Sequence, residues 1–306
     1  MPRRQIRLEG PGVSGTRVSG PMLRELLYVL IEGSRRALRV RTQGRSTARG
    51  SLPRWIAAAT DFTVEIKEGS TVLEIDSPSL EEADPDEFRQ ADLFPEVDPK
   101  RSAVDYLIES VAAASDGEAQ AKLYDKQLLH VFGGFREVFR YGVTRVEFSP
   151  TQPDTGGLGV EPSSLRRFQE VEAKIPPPQH VNVAGKLDVI RHSDRTFDLV
   201  VGGEHVRGIA EGADLQTLWG QQVLLSGTAH FAASGAIQRV EADIIRSATE
   251  QELELFEVTP SPIGGRLLVQ QLSRPQGPRS GLNAIFGKWP GDETDDQILE
   301  ELDRLS

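Results

Sequence analysis

Two glycine-rich stretches have the residue types to cradle phosphate, and five histidines could ligate a metal or carry protons. Gly10-Pro11-Gly12-Val13-Ser14-Gly15 satisfies G-x-G-x-x-G. In a dinucleotide site the third glycine opens a helix, so that pyrophosphate meets the helix N-terminus, and an acid further on takes the ribose. Here the helical pattern begins later, at Pro21, and Arg39 and Arg41 stand where the acid is needed. The stretch reads as a plain turn. Gly281 to Lys288 has five residues between its glycines rather than four, and Trp289 replaces the Ser or Thr that would hold magnesium, which excludes a P-loop. His130, His180, His192, His205 and His230 do not fall at metal-ligand spacing, and H-E-x-x-H does not occur. His192, His205 and His230 lie in or beside predicted strands, so two of them could meet in space. Serines and aspartates are too common to single out a Ser-His-Asp set. With no cysteine there is no disulfide and no thiolate site. No catalytic residue, metal ligand or cofactor is assigned, and the expected protein is not an enzyme.

Charge carries more information. The net charge of −11 hides an arginine-rich start. Residues 1–60 contain Glu9, Glu25 and Glu32 as acids, against arginines spread from Arg3 to Arg54, and the stretch from Asp61 to Asp125 reverses the balance. Either neighbours neutralise one another or the arginines meet an anionic partner. For nucleic acid the candidate contacts are Arg35, Arg36, Arg39, Arg41, Arg45 and Arg49. Internal neutralisation is the simpler account, since an arginine-rich helix is usually a solvated face.

The elements that must position these groups follow from periodicity. Gln5 to Glu9 alternates as a strand. Pro21 opens a helix with Leu23, Leu26, Leu27, Leu30, Ala37 and Leu38 at helical spacing, interrupted at Gly33. Ser51-Leu52-Pro53 starts a short helix through Ala59. Phe62–Ile66 and Thr71–Ile75 form a hairpin across Gly69-Ser70. Residues 77–100, rich in Pro, Asp and Glu, read as a long surface loop. Ser102 caps a helix with Val104, Leu107, Ile108 and Val111 inward. A further helix carries Leu123, Leu128, Val131, Phe132 and Phe135, and Val143–Phe148 is a strand. A helix from Ser163 ends at Pro176-Pro177-Pro178.

Strands then recur over Val181–Arg191, Phe197–Val201, His205–Ile209, Gln222–Phe231 and Ile237–Ile245, with a helical turn at Asp214–Trp219. Three strands, a short helix and two strands resemble an OB-fold, with an SH3-like barrel as the competitor. Gly185 would mark the bend that lets the first strand serve two sheets. Acids outnumber bases across 181–247 and aromatics are few, so this barrel suits a spacer or protein-binding module better than an oligonucleotide reader. Glu252 to Val258 adds a strand.

The expected organisation is an α+β domain over 1–150, a helix and Pro-rich linker over 151–180, and a small OB-like or SH3-like β-barrel over 181–258. A linker over 259–280 and a docking tail with a short helix over 281–306 follow. The longest apolar run, Leu26–Ile31, is far short of the roughly 20 residues a spanning helix needs. With no signal-peptide pattern at the start, a cytoplasmic protein without membrane contact is expected.

The tail is built to stick. Thr294 and Gln297 form a T-x-x-Q capping box, and Asp292, Glu293, Asp295 and Asp296 favour the same helix start. Ile298, Leu299, Leu302 and Leu305 share a face, and Leu282, Ile285, Phe286 and Trp289 supply a second apolar group across Pro290-Gly291. Isolated helices under roughly 12–15 residues are marginal in water, so the stripe must bury, at roughly 1.5–3 kcal/mol per fully buried side chain. Lys288-Trp289-Pro290-Gly291-Asp292-Glu293, followed by Thr294 to Leu302, resembles the C-terminal ends of bacterial antitoxin-type partners of PIN-domain ribonuclease toxins. The resemblance covers about the last 25 residues. It implies a tail that wraps a toxin and occludes its magnesium-dependent carboxylate site, by hydrophobic docking with Trp289 as anchor.

Overall fold

The computed structural model describes residues 3–15, 17–48, 50–67, 71–88, 97–117, 122–149, 157–191, 195–210 and 215–262. The expected tail helix, with Leu282, Ile285, Phe286, Trp289, Ile298, Leu299, Leu302 and Leu305, lies outside them, as does Arg49.

The first module is an antiparallel sheet covered by helices. Its strands are β1 (Arg3–Glu9), β2 (Thr63–Ile66), β3 (Val72–Asp76), β4 (Arg145–Phe148) and β5 (Leu158–Val160), in the order β2-β3-β1-β4-β5. The hairpin legible at 62–75 forms, with Thr63 opposite Asp76 and Ile66 opposite Leu73. Ile6 and Leu8 of β1 point into the core while Arg3, Arg7 and Glu9 face out, the period of a half-buried strand.

Helix α1 (Gly20–Gln43) lies over this sheet and buries Met22, Leu26, Val29, Leu30, Ala37 and Leu38. Gly33 does not interrupt it. A Cβ at Gly33 would lie 2.6 Å from Leu107 Cδ1, so the glycine is a seat for the leucine of a crossing helix rather than a break. That helix is α4 (Ala103–Asp116), preceded by α2 (Arg54–Ala59) and α3 (Leu80–Ala83). Ser102 caps α4 in a capping box with Asp105, whose buried carboxylate also receives Arg4 Nε of β1 at 2.6 Å and so ties α4 to the sheet.

Three expectations are corrected. Residues 77–100 are not simply surface loop: Ser79 and Glu82 form a capping box for α3, and Leu80, Phe88 and Val97 are buried. The helix expected through Leu123–Phe135 is two, α5 (Lys126–Phe132) and α6 (Phe135–Phe139), divided at Gly133-Gly134. Glu252 to Val258 adds no strand. Thr249 and Glu252 cap α8 (Glu250–Phe256), because a local T-x-x-E pair supplies helix-start bonds that a strand cannot use. Between them, α7 (Pro162–Lys174) sets Phe168 and Val171 into the same core as Ile6 and Leu26.

The second module is a closed barrel of β6 (Gln179–Arg191), β7 (Thr196–Val201), β8 (Glu204–Ala210), β9 (Gln222–Phe231) and β10 (Ile237–Ser247), with a 3-10 turn at Gln216–Leu218. The circuit runs β10-β8-β7-β6-β9 and closes through antiparallel β9 and β10, while β8 and β10 run parallel. This mixed five-stranded closure is compatible with an OB-like fold. Strand β6 pairs with β9 over 179–186 and with β7 over 186–191. The handover falls at Gly185, where a Cβ would lie 2.4 Å from the Val200 carbonyl. The barrel core includes Val183, Phe197, Leu199, Val223, Leu225 and Val240.

Candidate functional site: an arginine-lined cleft at the end of helix α1

The C-terminal half of α1 turns its arginines in different directions, and helical phase decides their fates. Arg41 points at α4: its Nη2 lies 2.7 Å from Glu109 Oε2, and its guanidinium stacks 5.5 Å from the Tyr106 ring centre. Arg101 approaches the same ring and the other oxygen of Glu109, at 2.5 Å. Tyr106 is buried, which pushes its phenol up to about 12. Arg41 is thus neutralised inside the protein.

Arg35 and Arg36 share Glu32, at 2.8 and 3.9 Å, and Arg36 Nη1 donates to the Gln127 carbonyl at 2.9 Å. Arg39 differs. It is 7% exposed, its Nε is buried without a hydrogen-bond partner, and burial together with the nearby Arg45 and Arg36 charges lowers its pKa. Beside it the chain leaves α1 at Gly44 in a left-handed C-cap and runs along Ser46, Thr47 and Ala48. Asp125 holds this run by accepting from the Ser46 amide at 2.8 Å while capping α5 at Leu128. The result is a cleft of about 280 Å³ whose polar rim carries three arginines, Arg35, Arg36 and Arg39, against Glu32. Arg45 adds a further buried Nε without a partner.

Of the arginines expected to act together, the structure gathers Arg35, Arg36 and Arg39 at one cleft, sets Arg45 close by, and sends Arg41 elsewhere. Ser46 escaped the sequence reading, because a serine in a polar loop carries no signal until the fold sets it beside a buried cation. His230 meets Glu241, at 3.4 Å, and His192 lies outside the described residues.

A serine-histidine-aspartate line also appears on the barrel. Ser226 Oγ lies 3.1 Å from His180 Nε2, and His180 Nδ1 lies 3.8 Å from Asp243 Oδ2. The side chains of His180 and Asp243 are 62% and 66% exposed. Ser226 sits inside a ladder, opposite Asn182 and Ile244, where backbone amides face neighbouring strands. Acyl transfer needs free amide donors around a dry nucleophile, so this line is a surface polar cluster with one hydrogen bond, between Ser226 and His180. Among the described residues no group of three His, Cys, Asp or Glu could hold a metal, and no helix is long and apolar enough to cross a membrane.

Fold and site together define a two-module chain, an α+β layer and a closed mixed barrel, with a cationic cleft beside the joint. No family model matches it, and neither does any curated protein or solved structure.

Proposed function

We propose that this chain is a non-enzymatic, cytoplasmic binding protein whose C-terminal segment captures a protein partner. The observation that carries this reading is the apolar pattern of the tail sequence, Leu282, Ile285, Phe286 and Trp289 followed by Ile298, Leu299, Leu302 and Leu305 on a segment too short to be a stable helix alone. Among the described residues an α+β core and a barrel core each form. The antitoxin-like sequence of the tail gives the partner class, a PIN-domain ribonuclease. Lys288 and Arg304 are the cations of 281–306, too few to fill an acidic active site, so occlusion works through apolar contact centred on Trp289. In this reading the barrel, OB-like in its strand order, is a spacer or protein-binding module.

Co-purification with a PIN-domain ribonuclease encoded beside this chain tests the reading. The full chain is expected to bind and inhibit it. Deleting residues 281–306 is expected to abolish both effects while leaving the melting temperature of the remainder unchanged. Retained binding, or a remainder that no longer folds, overturns it.

A second reading is favoured by the cleft on α1. The protein binds nucleic acid through Arg35, Arg36 and Arg39, with affinity that falls as salt rises because phosphate contacts release counterions. Alanine at Arg35 and Arg36 is expected to weaken binding of a single-stranded oligonucleotide and flatten its salt dependence. Binding that ignores salt counts against it.

A further inference from the structure

We propose that the cleft between the end of α1 and the run Ser46–Ala48 is a single-group oxyanion site that takes phosphate, free or esterified. This deepens the nucleic-acid reading, since it uses the same arginines, but it rests on a separate observation. Two residues that line this cleft, Arg39 and Ser46, are each more than nine-tenths buried and hold a polar atom without a hydrogen-bond partner. Arg39 is 7% exposed and its Nε is unsatisfied, and Ser46 is 2% exposed and its Oγ is unsatisfied. Buried donors in native proteins are almost always paired, and a buried cation without a counter-charge is among the least tolerated features of an interior.

The nearby acids form no ion pair with Arg39, and Glu32 offsets its charge only from a distance. Glu32 lines the cleft but divides its oxygens between Arg35 and Arg36. Asp125 accepts from the amides of Ser46 and Leu128. The other close charges, Arg36 and Arg45, are cations that make the position more electropositive. Guanidinium and hydroxyl donors together suit a tetrahedral oxyanion, which accepts along several directions at once. At about 280 Å³ the cavity falls just below the usual range for small-molecule pockets, roughly 300–1,000 Å³. It has room for a phosphate group. In the nucleic-acid reading a polymer runs over Arg35 and Arg36 and presents a phosphate to the cleft.

The test is thermal unfolding of the full chain in inorganic phosphate against sodium chloride of equal ionic strength. Phosphate is expected to raise the melting temperature by several degrees beyond chloride, because a ligand of the folded state stabilises it by mass action. Arg39→Met keeps length and packing while removing the charge. It is expected to melt higher than the parent chain without phosphate and to lose the phosphate response. Ser46→Ala, which is expected to fold unchanged, should weaken the response several-fold. A parent chain indifferent to phosphate, or an Arg39→Met or Ser46→Ala chain that responds in full, overturns the site. A single-stranded oligonucleotide that competes with phosphate assigns the group to a phosphodiester. A phosphate response without competition supports the site and assigns it to free phosphate or a monoester. Oligonucleotide binding with no phosphate response overturns the pocket and leaves the nucleic-acid reading standing on Arg35 and Arg36 alone.

Discussion

Glu241 shows how one carboxylate ties pH to stability at the base of the barrel. The His230 ring at 3.4 Å and the Arg239 guanidinium at 3.1 Å draw its carboxyl from the ordinary 4.5 down to about 2. Arg239 in turn donates from Nη1 to the carbonyl of Gly44, the C-cap of α1, at 3.0 Å. A depressed carboxylate contributes stability that is fully present above its unfolded pKa and is lost as pH falls through its folded one. For Glu241 the window runs from about 4.5 down to about 2. The side chain is 43% exposed, so solvent screens part of the effect. Glu241→Gln is therefore expected to lower the urea midpoint at neutral pH and to lose less stability than the parent chain across that acid window. Parallel acid limbs for the two chains would show that Glu241 does not set the slope.

Glycines at crossings decide which elements can close. Strand β6 serves two neighbours because Gly185 lets the Val200 carbonyl approach where a side chain would stand. Gly185→Ala forces a Cβ within 2.4 Å of that oxygen, an overpacking expected to cost about 1–3 kcal/mol. A denaturant midpoint unchanged by the substitution would show that the strand can bend elsewhere. This bend was legible in the sequence, as were the 62–75 hairpin and the five barrel strands, because alternation and turn residues are local signals. Gly33 misled for the same reason. Locally it is a helix breaker, and only the crossing of α4 gives it a purpose through Leu107. The acidic stretch around Leu80 and the segment after Thr249 carried legible capping boxes, S-x-x-E and T-x-x-E, that composition and short apolar runs outweighed. The cleft was half legible. Its arginines stand out in the sequence, but which of them is buried depends on helix phase against α4 and on Ser46 arriving from a loop.

At the scale of the compact unit, the barrel grips the first module by the carboxyl end of its longest helix. Arg207 Nη1 donates to the Arg41 carbonyl at 2.7 Å, Arg239 Nη1 to that of Gly44 at 3.0 Å, and Gln238 Nε2 to that of Tyr124 at 3.2 Å. The last carbonyls of a helix lack partners within it and carry the negative end of its dipole, so two guanidinium groups there satisfy both needs. Arg207 reaches across already steadied, because Asp198 lies 3.5 Å from its Nε and is itself held by Arg191 at 3.2 Å. Ala233, between β9 and β10, adds an apolar contact to the first module's core. Hydrogen bonds from charged donors contribute about 1.5–3 kcal/mol each, comparable with what separates one cooperative transition from two. With Trp55 and Trp289 replaced by phenylalanine, so that Trp219 alone reports, the chain is accordingly expected to unfold in urea with coincident changes in helix signal and in fluorescence, Trp219 being a barrel residue whose Nε1 donates to the Asp188 carbonyl. Replacing Arg207 and Arg239 together with alanine removes both grips on α1 and leaves each module's core intact. The two signals should then separate, the modules unfolding at different urea concentrations. Coincident transitions in the double variant would mean that apolar contact and Gln238 alone bind the modules together, and that the arginines serve the helix end without coupling the domains.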